Sequence, residues 1–345
     1  MCGSPCTPNR IWSWLVHHFP PHPTDFGLSE DATLFMHSQW SIPQPVFIAY
    51  RAFLACYTFA WLIMSIVNAG QTTGLGGFFV FLTNWTYILL SFYLVISCIS
   101  TSYASYRTRQ CPSDGNLNKA EAAPIRQPGS NDNYPQSSSP DSESSGSVPE
   151  DISPQTTPTR LPFYFKITWV LLNVCLAFGP IISIIYWAFI FDPEFVYANQ
   201  GGAYGVALTV HRHAFNTIFV YLDLAVSASP ITFWHFVYPV GYGLLYMFFS
   251  LVYYWAGGTN PYIDSPAIYP SLLDWTNPGK TIGAVIAFAV VAIVFHSVAY
   301  GCYRLRMCVA GRFDMLTRAQ LQARTLRNET HAGPGEEENQ STVVV

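Results

Sequence analysis

Residues 208–223 read "LTVHRHAFNTIFVYLD", and the chain on either side is almost wholly apolar. Two histidines, an arginine, an asparagine and an aspartate therefore lie within a stretch long enough to belong to a membrane helix. Rotation by about 100° per residue gathers Thr209, Arg212, His213, Asn216 and Asp223 into one sector. Phe215, Ile218, Leu222 and Ala225 fall on the opposite side, and His211 points away from His213 by roughly 200°. Polar side chains are costly in hydrocarbon and turn toward a bundle interior or a wet cavity. A helix with one polar face predicts such an interior.

The surroundings agree. Of 345 residues, 50% are hydrophobic, 16% aromatic and only 10% charged, against about 25% charged in soluble domains. Runs of around 20 apolar residues suffice to cross a hydrocarbon core about 30 Å thick as a helix, and the alternating segments of a β-barrel are missing. The expected fold is an all-α integral membrane protein with six spans, near 46–68, 77–99, 163–191, 205–226, 231–255 and 281–303. Pro180 is a candidate kink in the third span. Pro239, Gly241 and Gly243 loosen the fifth.

Basic residues set the expected orientation. Arg107, Arg109, Lys119, Arg126 and Arg160 fall between spans two and three, and Arg304, Arg306, Arg312, Arg318, Arg324 and Arg327 follow span six. The turns 69–76 and 192–204 hold none, and 256–280 only Lys280. Both termini and the long loop are therefore expected in the cytosol. The eight cysteines then lie in apolar runs or reducing surroundings, so no disulfide framework is expected. Cys302 and Cys308, beside arginines at a membrane exit, suit S-palmitoylation.

The domain reading follows. Residues 1–45 form a cytosolic segment in which "RIWSWLVHHF" (10–19) suits an interfacial helix. Residues 46–303 form the membrane domain. The Ser-, Pro-, Asn-, Asp- and Gly-rich loop 101–161 is expected to be disordered, because it cannot bury enough apolar surface to offset its ordering entropy. Its Ser139, Ser153 and Thr157 precede prolines, as phosphorylation sites often do. Residues 304–345 form a cytosolic tail ending in "STVVV", which weakly suits a PDZ-type partner. A net charge of −4 gives no basic bias toward nucleic acid.

Span two offers a partner for the polar face. Thr83, Thr86, Tyr87, Leu90 and Ser97 share one side, with Tyr93 at its margin. Measured from the expected starts of their spans, Thr83 is ~9 Å deep and His213 ~12 Å deep. A hydroxyl and an imidazole in one layer have the parts of a nucleophile and its general base, and Asn84 and Asn216 are candidates to support them. The alternative is structural: Thr and His also hydrogen-bond across membrane helices without chemistry. No metal or cofactor is expected. His211 and His213 diverge too far to share an ion, the H-E-x-x-H spacing is absent, and "GLGG" (74–77) lacks the lysine of a phosphate loop. A haem between His235 and His296 is a remote reading. The loop 256–280 lies on the same side as Thr83 and His213, where it suits either a lid or an aromatic interface anchor.

Several stretches in order, "HSQW" (37–40), "YRAFLACYTFAWLI" (50–63), "FLTNWTY" (81–87), "HAFNTIFVYLD" (213–223), residues 234–262 and "LLDWTNPG" (272–279), resemble the rolling stone family. That resemblance implies a multi-pass membrane protein linked to cell fusion, notably of myoblasts, in the plasma membrane or endoplasmic reticulum. More distantly, the chain resembles the androgen-induced family of membrane hydrolases. That likeness implies cleavage of fatty acid esters of hydroxy fatty acids by a membrane-embedded Thr and His. Thr83 follows Leu82, and His213 precedes Asp223, at matching positions. The sequence "HRHAFN" and the 101–161 insertion depart from that pattern. Membrane lipids, including a lipid-ester substrate, are the expected partners.

Overall fold

The computed structural model describes residues 26–110, 161–270 and 272–331, with side chains as far as Met315. The expected interfacial helix at 10–19, most of the 101–161 loop and the terminal "STVVV" lie outside the described residues. Ten α-helices follow in order among the described residues: α1 Thr33–Met36, α2 Gln44–Thr72, α3 Gly74–Phe78, α4 Leu82–Gln110, α5 Phe163–Ile185, α6 Pro193–Asn199, α7 Gly202–Val210, α8 Asn216–Val226, α9 Val237–Trp255 and α10 Pro278–His331. Single π-helical turns extend α5 over Tyr186–Ile190 and join α7 to α8 over His211–Phe215. The expectation of an all-α membrane protein is met.

Five helices, counting their π or 3-10 extensions, are long and apolar enough to cross a membrane: Gln44–Thr72, Leu82–Gln110, Phe163–Ile190, Phe233–Trp255 and Pro278–Met315. The fourth expected span is helical without a break over 202–226, but its polar face keeps it from ranking with these five. Phe53, Phe92, Ile99, Phe248, Val290 and Leu305 are exposed around the outside, the arrangement a hydrocarbon surround requires. The opposite side of α8 behaves as its periodicity predicts: Ile218 and Leu222 are exposed while Asn216 and Asp223 are fully buried.

Three boundaries differ from expectation. Helix α4 starts at Leu82, after the separate short α3, and runs on through 101–110, where a loop was expected. Serine and threonine hydroxyls in that extension donate to carbonyls one turn back (Ser102 to Cys98, Thr108 to Ala104), and Arg107 and Arg109 complement its negative end. Helix α10 likewise continues past the expected end at 303, as far as His331.

Helix α5 is the central element, in contact with α4, α8, α9 and α10. Its Leu, Phe, Trp and Ile residues are buried on nearly every side, as expected of a helix surrounded by others. Pro180 lies within it and cannot donate to the Leu176 carbonyl. The hydroxyl of Tyr221 on α8 donates to that carbonyl at 3.2 Å, so the helix continues. A Cβ on Gly179 would meet the Thr217 backbone at 3.4 Å. One turn on, Ser183 donates to the His213 carbonyl and bonds the Thr217 hydroxyl at 2.6 Å. Small residues four apart thus bring the two helices close.

Buried charge ties the remaining helices to α8. Asp223 accepts from the Tyr93 hydroxyl and lies 3.9 Å from Arg51 of α2. Arg51 is 2% exposed, donates to the Phe35 carbonyl at 3.0 Å and to the Thr101 hydroxyl, and lies over the Phe47 ring. At the C-terminal end of α8, Arg306 donates to the carbonyls of Leu224, Ser227 and Ser229. Ser38 and Trp40 bond Val226 and Ala225 there, which gives "HSQW" its structural role. These groups satisfy carbonyls that a helix end leaves open. Removing one member of a buried ion pair strands the other, at a cost of about 3–5 kcal/mol. Asp223→Asn is therefore expected to lower the thermal unfolding midpoint of the purified protein markedly; an unchanged midpoint would show that Arg51 does not depend on it.

Candidate functional site

The helices leave a large cavity, of about 660 Å³, between the start of α4, the end of α5, the π-helical turn at His211–Phe215, α9 and the start of α10. The volume is in the range of small-molecule sites. Apolar side chains such as Ile181, Ile185, Val240, Leu244, Val285 and Phe288 form most of its wall. Thr83, Asn84, Gln200, Arg212 and His213 supply polar groups. Segment 256–277 also contributes Asn260, Tyr262 and Tyr269.

Both π-helical turns border this space, and π turns in α-helices commonly mark functional positions. Tyr186 from one stacks on His213 from the other, with ring centroids 3.4 Å apart and planes 13° apart. His213 Nδ1 is 2.8 Å from the Thr209 carbonyl. A carbonyl only accepts, so Nδ1 carries the proton and, in the neutral ring, Nε2 holds the lone pair. His211 faces elsewhere, as its angle predicts. It stacks on Trp61 at 3.5 Å and meets the Tyr57 hydroxyl at 2.7 Å, on the side of α2.

Arg212, 8% exposed, is held by neutral groups alone. It donates to the Leu208 carbonyl at 3.4 Å, Asn84 Oδ1 at 3.3 Å, Gln200 Oε1 at 3.2 Å and the Thr209 hydroxyl at 3.4 Å. Asn84 is oriented in turn by its donation to the Phe78 carbonyl at 2.6 Å. Gln200 reaches Arg212 because the chain doubles back through Gly201 and Gly202, both at positive φ (93° and 66°), a conformation that suits glycine.

Thr83 lies in the first turn of α4, beside the Tyr269 hydroxyl, which accepts from the Leu82 backbone at 3.1 Å. Burial pushes the pKa of Tyr269 up to about 12 and that of Tyr262 upward as well, so both phenols are neutral near pH 7. The depths of ~9 and ~12 Å do not hold, because α4 starts at Leu82 and the fourth helix at Gly202. Counted from those starts, Thr83 is ~1.5 Å in and His213 ~17 Å in. Both residues nevertheless line the same cavity. Asn84 joins them through Arg212. Asn216 does not line the cavity; it is fully buried beside Gly179, and its amide has no hydrogen-bonding partner.

Among the described residues, no group of three or more His, Cys, Asp or Glu could hold a metal ion. His235 and His296 direct Nε2 at the Gly27 and Thr232 carbonyls, 3.3 and 3.1 Å away. Sequence reading missed Gln200, Tyr186 and Tyr262 as cavity residues. The only hint was the turn "NQGG" (199–202), whose partner is set by tertiary contact.

A further constraint sits beneath Gln200. A Cβ at Gly205 would collide with the Gln200 backbone carbonyl. Gly205→Ala must therefore displace the residue that bonds both Arg212 and Thr209, and overpacking of this kind costs about 1–3 kcal/mol. A lowered unfolding midpoint is expected; wild-type stability in that variant would contradict the close approach.

Comparison with known proteins follows the same lines. A family model described as "Protein rolling stone" matches residues 153–320. The chain is 23% identical to Protein rolling stone of Drosophila melanogaster over 295 residues, covering 85% of this chain and 90% of the relative. No solved structure matches. The two matches agree with each other: over these residues the chain is similar to rolling stone proteins.

Proposed function

We propose that this rolling stone-like membrane protein is an intramembrane hydrolase of lipid esters, with Thr83 as nucleophile and His213 as general base. The observation that carries the reading is that Thr83 and His213 line the same largely apolar cavity, with the His213 lone pair directed to Nε2 by the Nδ1 contact with Thr209. An acyl chain fits the apolar wall, and its ester reaches the polar end. His213 Nε2 takes the Thr83 proton as Oγ attacks the ester carbonyl carbon. The C–O bond to the alcohol breaks, and the alcohol leaves with the proton from His213. Water then attacks the acyl-threonine by the same proton route and releases the acid. Thr83 is in the first turn of a long helix, whose positive end favours the oxyanion that forms in each step. The distant likeness to the androgen-induced hydrolases supports the same two residues and suggests fatty acid esters of hydroxy fatty acids as substrates.

The test is labelling with a fluorophosphonate probe, together with hydrolysis of a long-chain acyl ester by the purified protein. Thr83→Ala is expected to lose the label. Both Thr83→Ala and His213→Ala are expected to lose about 10²-fold or more in rate, while unfolding midpoints show whether each variant is folded. Labelling that persists in folded Thr83→Ala rules out Thr83 as the modified residue.

The match to Protein rolling stone favours a second reading at the level of the cell: a role in membrane or cell–cell fusion during differentiation, such as myogenesis, at the plasma membrane or endoplasmic reticulum. Disruption in a fusing tissue is expected to leave cells unfused, and restoration with Thr83→Ala separates a fusion role from ester cleavage. Normal fusion without the protein counts against this reading.

A further inference from the structure

Among the described residues Arg212 has no counterion. None of the residues lining the cavity is acidic, and the nearest carboxylate on the same helix, Asp223, is committed to Tyr93 and Arg51. A guanidinium offers five N–H groups. The structure supplies Arg212 with four bonds to neutral acceptors, all between 3.2 and 3.4 Å. Charge-assisted bonds to anions run shorter, near 2.7–2.9 Å, and a carboxylate can take two at once. A cation held in apolar surroundings without a neutralising partner is costly. This one is also more than nine-tenths buried and borders the cavity itself. Asn84 and Gln200 present only side-chain oxygens to it, so they orient the fork without cancelling its charge.

The rest of the cavity gives the other half of the ligand. Beyond the polar end, Ile181, Ile185, Val240, Leu244 and Phe288 line a space with no charged group, suited to a hydrocarbon chain. We infer that the cavity binds an anionic amphiphile, with Arg212 seating the carboxylate or phosphate and an acyl chain lying against α5, α9 and α10. The inference rests on the ester-cleaving reading for what the cavity is used for, and it names the substrate class: an acyl compound that carries a negative charge apart from the ester. Arg212 is thereby a specificity-determining residue and takes no part in proton transfer.

Equilibrium binding to the purified full chain, in the Thr83→Ala background so that nothing turns over, separates this from catalysis. The probe is a fluorescent fatty acid displaced by oleate, oleyl alcohol or oleoyl lysophosphatidate. Oleate is expected to bind at least about tenfold more tightly than oleyl alcohol. Arg212→Gln is expected to lose that factor while still binding oleyl alcohol, and Arg212→Lys to retain part of it. Lysophosphatidate competing as well as oleate, or better, supports the anion seat and identifies phosphate as an accepted head; weaker competition supports the carboxylate. Equal affinity for oleate and oleyl alcohol in the Arg212-containing protein, or a preference that persists in Arg212→Gln, overturns the inference. Should Arg212→Gln fail to fold, the acid-to-alcohol comparison with Arg212 present decides alone. Absence of ester cleavage by the protein with Thr83 intact, alongside a clear oleate preference, overturns the hydrolase and leaves the seat standing.

Discussion

Polar and charged side chains in hydrocarbon must be matched inside the protein, and helix 202–226 imposes this demand on every neighbour. Its lower half carries Asp223, which draws Arg51 from α2 and Tyr93 from α4. Its C-terminal end leaves carbonyls that Arg306 of α10 and the segment around Ser38 and Trp40 satisfy. Its middle, the π-helical turn, presents a carbonyl that Ser183 of α5 takes up. The helix that is least apolar thereby organises the bundle.

The same logic explains how α5 stays helical through a proline. Pro180 removes one donor, and the Tyr221 hydroxyl replaces it from across the interface. Gly179 allows that interface to close. Pro180, the π turn at His211–Phe215 and the C-terminal end of α8 each have a side chain from another element beside them. Stability and shape are consequently coupled: substitutions at these contacts affect both the helix they satisfy and the cavity next to it.

At the π-helical turn in the middle of helix 202–226 the matching is incomplete, and that is where the cavity lies. Arg212 is bonded but not neutralised, while His213 is fixed through one nitrogen and stacked on Tyr186. A purely structural interface would be expected to close such a region with complementary charge, as Asp223 and Arg51 do one end away. The contrast between a paired end and an unpaired middle within one helix is the physical basis for reading the latter as a ligand site.

Period, composition and length were enough to establish an all-α membrane protein, the polar face of helix 202–226 and the divergence of His211 from His213, because these follow from helical geometry and the cost of polar groups in lipid. Thr83 was also legible as facing the stripe, and Asn84 as a candidate to support it. Tertiary structure alone decided the rest. It set the true helix starts, which made the matched depths of Thr83 and His213 incorrect while still bringing both to one cavity. It moved Asn216 into a packed interface, placed Gln200, Tyr186 and Tyr262 around the site, and gave Asp223 to Arg51, 172 positions away in the chain. Such partners depend on how helices are offset and which face meets which, and no periodicity within a single helix encodes the level at which its neighbour begins.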